Sequence, residues 1–129
     1  MEIAECRFNQ WTPILYKEGL SSAAPAVSGI YAIIKVKRVG GLPLSSEVLY
    51  IGQSRNLRRR FGQHVDESEP NPYLFEISTQ SVGRDLEFWW LPVSPQLLNN
   101  VEADLIRLLK PPANRRLYKT HRAPNNKYL

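Results

Sequence analysis

Several side chains in this sequence have types and settings suited to work on a phosphate ester. Tyr31 and Tyr50 lie in two stretches rich in β-branched and aromatic residues, where strand register decides whether the two phenols share a face. Arg60 and His64 stand one turn apart in a stretch with helical periodicity. At about 100° per residue they share a face with Leu57 and Phe61, while Arg55, Arg58 and Arg59 point elsewhere. A guanidinium aimed inward is costly unless it meets an anion, so Arg60 requires either a protein carboxylate or a ligand phosphate. Glu102 poses the complementary question. It falls between Leu98, Leu105, Ile106 and Leu109 at the edge of an apolar stripe, with Asp104 and Arg107 turned away, and needs a hydrogen-bond donor, an arginine or a divalent cation. Each feature alone has an ordinary structural reading: ion pairs for Arg60 and Glu102, core packing for the tyrosines. Brought together, a phenol, an inward arginine and histidine, and a lone carboxylate make a pocket for a phosphate and a metal ion.

Such a pocket needs elements that carry these residues to one place. Gly29-Ile30-Tyr31-Ala32-Ile33-Ile34-Lys35-Val36-Lys37 reads as a strand, followed by a glycine- and proline-bearing loop over 39–43 and a second short strand over 48–52. Together they form a hairpin with a long connection. Ser54 is placed to cap a helix running from Arg55 to about Val65. The acidic segment from Asp66 to Asn71 interrupts it, residues 72–80 read as helical, and 86–93 as a third strand with Pro92 near its end. Trp89 and Trp90 alternate on that strand, so one could be open for base stacking while core packing claims the other. Ser94-Pro95 opens a last helix, with Leu97, Leu98, Val101, Leu105, Leu108 and Leu109 at helical spacing, stopped after Lys110 by Pro111-Pro112. The segment before Gly29 holds Trp11, Ile14, Leu15 and Tyr16, which can pack on the domain in a form the sequence leaves open.

The chain has 129 residues, 43% of them hydrophobic, enough for one core and hardly two. A single domain is therefore expected over 1–129. Lys and Arg number 17 against 12 Asp and Glu, a net charge of +5, so the surface field attracts polyanions, nucleic acid first among them. The same charge would also serve solubility alone. One cysteine, Cys6, excludes an intramolecular disulfide and a multi-thiolate zinc site, which suits a cytoplasmic setting. The first residues carry two acids and no apolar run, unlike a secretory or transit segment, and no stretch is long enough to span a bilayer.

Gly29-Ile30-Tyr31 and Tyr50-Ile51-Gly52, a hairpin apart, resemble the two tripeptides that name the GIY-YIG nucleases. In that family the functional arginine follows the second-motif tyrosine by ten residues, which lands on Arg60, and several members add a histidine one turn later, here His64. Glu102, followed by Lys110-Pro111 and Asn114, is similar to the family's last motif. The resemblance implies an α/β (α+β sandwich) domain, a small three-stranded and mainly antiparallel sheet flanked by helices. Its motif core spans about 28–114, with an N-terminal extension over 1–27 and a basic tail over 115–129.

The resemblance also implies a metal-dependent endonuclease that hydrolyses phosphodiester bonds, in DNA rather than RNA. Glu102 would hold one divalent cation, Mg²⁺ or alternatively Mn²⁺, and Arg60 the non-bridging oxygens. Tyr31 would act near the attacking water, as a general base relayed through His64, and Tyr50 would bond the phosphate or the water. Asn114 would brace the site. Arg55, Arg58 and Arg59 on the outer helix face, with Arg115, Arg116 and Lys119 in the tail, are then backbone-phosphate contacts, or simply solvated charges. The competing readings are a non-catalytic nucleic-acid-binding module of the same fold and a basic structural protein. Partners beyond nucleic acid would be a second copy of the chain or a larger complex.

Overall fold

The structure, a computed structural model, describes residues 11–66, 71 and 86–114. The expected helix over 72–80 and the tail residues Arg115, Arg116 and Lys119 lie outside them. Among the described residues, β1 (Thr12–Leu15), β2 (Gly29–Val39), β3 (Leu42–Ser54) and β4 (Leu86–Pro92) form one sheet in the order β1-β4-β2-β3, with every neighbouring pair antiparallel. Helix α1 (Leu57–Val65) covers one face and α2 (Leu98–Leu109) the other. No described helix is long and apolar enough to cross a membrane.

The sheet has four strands where the sequence suggested three. The added strand is β1, paired from Thr12↔Trp90 to Leu15↔Glu87. Pro13 makes that stretch a poor strand in isolation, but an outermost strand tolerates a missing N–H, and pairing with β4 supplies the order that local propensity does not.

The hairpin differs as well. Its strands zip up to Val39↔Leu42, leaving only Gly40 and Gly41 in the turn instead of a long connection. Both glycines have positive φ, 57° and 86°, the pair of values that a two-residue turn matched to strand twist demands and that side chains resist. Pro43 therefore sits within β3, at the open edge of the sheet.

Alternation along the strands sorts the core into two layers. Tyr31, Ile33, Leu49, Phe88 and Trp90 face α1, meeting Leu57, Phe61 and His64. Ile30, Ala32, Ile51 and Leu91 face α2, meeting Leu98, Val101 and Leu105. A register shift between Ile33 and Ile34 marks a bulge at Leu49, which puts Leu49 and Tyr50 together against the α1 layer.

Helix α1 begins at Leu57 rather than Arg55 because β3 continues to Ser54. Asn56, not Ser54, is the cap: its side chain accepts from the Arg59 N–H at 3.1 Å. Ser54 instead bonds the backbone of Asn56 and shapes the bend from strand to helix. In α2, Pro95–Leu97 form a 3-10 turn before the helix proper, and Leu108 and Leu109 are exposed, so the apolar stripe ends one turn early.

Candidate active site

Helix α1 carries Arg60 and His64 onto the face of β2 that holds Tyr31. The Tyr31 ring is fully buried and stacked on Phe88, centroids 5.0 Å apart at 16°, and Phe88 stacks in turn on Phe61 at 4.2 Å and 14°. Each such pair is worth about 0.5–1.5 kcal/mol beyond its area, so this pile fixes the phenol to within a narrow range of positions. The Tyr31 hydroxyl lies 2.9 Å from His64 Nε2 and accepts from Arg60 Nε at 3.1 Å. Arg60 also donates from Nη1 to Gln63 at 3.0 Å. Tyr50 completes the cluster, its ring 6.0 Å from that of Tyr31 and 6.1 Å from His64. The Tyr16 ring is 6.4 Å from the imidazole, and its hydroxyl donates to the His64 carbonyl at 3.4 Å.

Glu102, carried by α2 on the other face of the sheet, and Asn114, beyond the end of α2, both meet β3. The half-buried Glu102 carboxylate accepts from Gln53 Nε2 at 2.8 Å, and the same amide donates to Asn99 at 2.8 Å. Burial pushes the Glu102 carboxyl above its ordinary pKa, and the Gln53 hydrogen bond offsets only part of that rise. Among the described residues Glu102 has no ion-pair partner. Asn114 is buried and bonds one residue twice, accepting from the Ile51 N–H and donating to the Ile51 carbonyl, both at 3.0 Å. It thus occupies the place a fifth strand would take.

Residues Tyr50 to Ser54 of β3 join the two groups. Tyr50 points toward the phenol cluster, Ile51 is held by Asn114, and Gln53 reaches Glu102. Gly52, opposite Tyr31 in the register, lies between them. A Cβ there would stand 2.5 Å from both the Tyr31 hydroxyl and its ring carbon Cζ. The ring is already clamped by Phe88, so Gly52→Ala has little room to relax. We expect it to cost about 1–3 kcal/mol of stability, read from chemical denaturation, and to displace the phenol from His64.

Of the arginines expected on the outer face of α1, Arg58 and Arg59 lie on the helix and Arg55 precedes it, and all three are exposed. Arg58 has a structural bond, its Nε donating to the Ala24 carbonyl at 2.8 Å. Neither tryptophan is open for stacking. Trp90 is buried, and Trp89 is half-buried with its Nε1 donating to Glu87 at 2.9 Å. The sequence did not single out Gln53 or Asn99. Both left a signal: Gln53 is a polar residue on the same strand face as Ile51, under α2, and Asn99 precedes Glu102 by three positions on one helix.

The fold is similar to the GIY-YIG N-terminal endonuclease domain of UvrC from Thermotoga maritima. A tyrosine-to-phenylalanine mutant of that domain, bound to its catalytic divalent cation, is 20% identical with a TM-score of 0.51, covering 74% of this chain and 91% of that one. An asparagine-to-alanine mutant, also bound to its catalytic divalent cation, is 20% identical with a TM-score of 0.50, covering 73% and 89%. No curated protein sequence matches the chain. Residues 27–116 match the model of the GIY-YIG catalytic domain, and the chain belongs to that family of nucleases.

Proposed function

We propose that this chain is a metal-dependent endonuclease that hydrolyses phosphodiester bonds in DNA, with a single divalent cation, magnesium, held at Glu102. The observation that carries the reading is the placement of the Tyr31 hydroxyl between His64 Nε2 and Arg60 Nε. A buried phenol with an imidazole nitrogen on one side and a guanidinium on the other can exchange protons at its oxygen. Tyr31 takes a proton from the attacking water while its own passes to His64 Nε2, and Arg60 stabilises the oxygen as charge builds on it. Arg60 also holds the non-bridging oxygens of the ester. Tyr50, beside both rings, orients the phosphate or the water, and Asn114 holds the strand that carries it.

The donor set fits a hard, hydrated cation. Magnesium keeps several of its waters and needs only one or two carboxylates, and among the described residues no three His, Cys, Asp or Glu side chains gather at one place. The similar Thermotoga maritima domains are bound to a catalytic divalent cation, magnesium in one of them. When bound, such an ion neutralises charge on the ester and the departing oxygen. Glu102 is suited to hold it, because a half-buried carboxylate bonded by the neutral Gln53 amide, with no ion pair among the described residues, gains from a positive partner. We read the motif core over 28–114, its N-terminal extension and the basic tail as one domain.

Incubation with single- and double-stranded DNA and RNA in Mg²⁺, Mn²⁺ or EDTA tests the proposal. DNA cut only with a cation present is the expected result. Tight binding without cutting under every condition would identify a non-catalytic module instead.

A further inference from the structure

We infer that the free end of the β2–β3 hairpin is an arm that lies in the major groove of duplex DNA beside the scissile bond, a reading that rests on the nuclease assignment above. Among the described residues, β4 accompanies β2 as far as Lys35↔Leu86, whereas β2 and β3 stay paired to Val39↔Leu42. Beyond buried Val36, residues 37–39 and 42–45 form a two-stranded ribbon at the end of the hairpin.

Two lysines of β2, Lys35 before the ribbon and Lys37 within it, share a side with the site. Alternation along β2 puts Lys35 and Lys37 on the face of Tyr31 and Ile33, and Leu86, opposite Lys35, belongs to the core layer under α1. At roughly 3.3 Å per residue, Lys35 and Lys37 stand about 13 and 20 Å along the strand from Tyr31. That spans some four to six phosphates of one DNA strand at about 3.4 Å each. Among the described residues neither lysine is in an ion pair. An open groove there is lined by Lys35, Val36, Lys37, Ser45, Ser46 and Glu47, with the lysines and serines able to donate to phosphate and Glu47, opposite Lys35, moderating the charge.

The tip has a different chemistry. Val39, Leu42 and Leu44 are 62%, 62% and 57% exposed at the end of a thin projection, where core packing has no use for them. Against base edges they would make apolar contact, with thymine methyl groups above all. The arm is also aimed. Arg38, on its opposite face, donates to both oxygens of buried Glu87 at 2.8 and 3.1 Å, and Trp89 donates to the same carboxylate. Two strands about 4.8 Å apart form a blade that enters a major groove about 12 Å wide. The deep, narrow major groove of an RNA duplex does not admit one, which favours DNA.

Binding of the full chain to a DNA duplex of two helical turns, measured by fluorescence anisotropy in EDTA over a salt series, tests the arm. The double variant Lys35→Ala/Lys37→Ala should lower the slope of log affinity against log salt by about 2, near 0.9 for each phosphate that is no longer neutralised. Val39→Ser/Leu42→Ser should weaken binding and leave the slope unchanged. An RNA duplex of equal length should respond to neither. All four positions are exposed, so thermal midpoints should hold, and the two pairs test different chemistry should one pair disturb the fold. Wild-type affinity and slope in both variants would overturn the inference, as would equal losses on RNA, or a changed oligomeric state with DNA binding intact. Because binding is read without a cation, a wild-type protein that cuts nothing would fail the nuclease reading and leave this result to stand by itself.

Discussion

Glu102→Gln should abolish cation-dependent cleavage and, in the cation-free protein at neutral pH, raise stability. The loss should reach at least about a thousandfold, since a cation's stabilisation of the reacting phosphate is worth several kcal/mol and each 1.4 kcal/mol is tenfold in rate. The gain follows from the Glu102 setting. Burial raises its folded pKa above that of the unfolded chain, so the folded state prefers the neutral carboxyl. That contribution is fully present below the ordinary carboxylate pKa and is lost as pH rises through the raised value. Glutamine stays neutral throughout and can keep a hydrogen bond with Gln53. In EDTA the variant should therefore be the more stable protein above that window and match wild type below it. Saturating Mg²⁺ should reverse or close the gap, because only wild type gains from binding. Denaturation midpoints at two pH values, with and without Mg²⁺, check all of this. A variant less stable than wild type in EDTA at neutral pH would contradict it.

Tyr31→Phe should lower the cleavage rate by about 10²- to 10⁴-fold, the range of a general base, and leave the fold standing. The phenylalanine ring keeps the stack on Phe88 and the close approach to Gly52, so only the hydroxyl is removed. Its removal takes one partner each from His64 Nε2 and Arg60 Nε, at a cost of about 1 kcal/mol in stability. Near-ultraviolet circular dichroism and a denaturation curve would show the intact aromatic pile, and a single-turnover assay the missing chemistry. A variant that folds and cuts at the wild-type rate would remove Tyr31 from the proposed reaction.

Sequence spacing goes far toward the site because two of its parts are set by short-range geometry. The four-residue step from Arg60 to His64 is one helical turn, and Leu57 and Phe61 on the same face settle which way the pair points. The expected anion for Arg60 is replaced in part by neutral oxygens, from Tyr31 and Gln63. What the sequence concealed depends on distant chain. Strand β1 exists because β4 offers an edge, and Gln53 acquires a role only when α2 docks beside it. The ribbon was hidden for a different reason. Two glycines and a proline signal a loop, yet paired positive-φ glycines make the tightest of hairpin turns. The leucine periodicity at the end of α2 overshot the core, since period reports a helix face and not how far a neighbour covers it.

Asn114 has a bearing on solubility as well. The outermost strand of any open sheet offers unpaired backbone groups to a strand of another molecule, the route to edge-to-edge polymerisation. A side-chain amide seated on both backbone groups of Ile51 blocks that docking at this position of β3. The residue that steadies the strand thereby also guards the protein against self-templating.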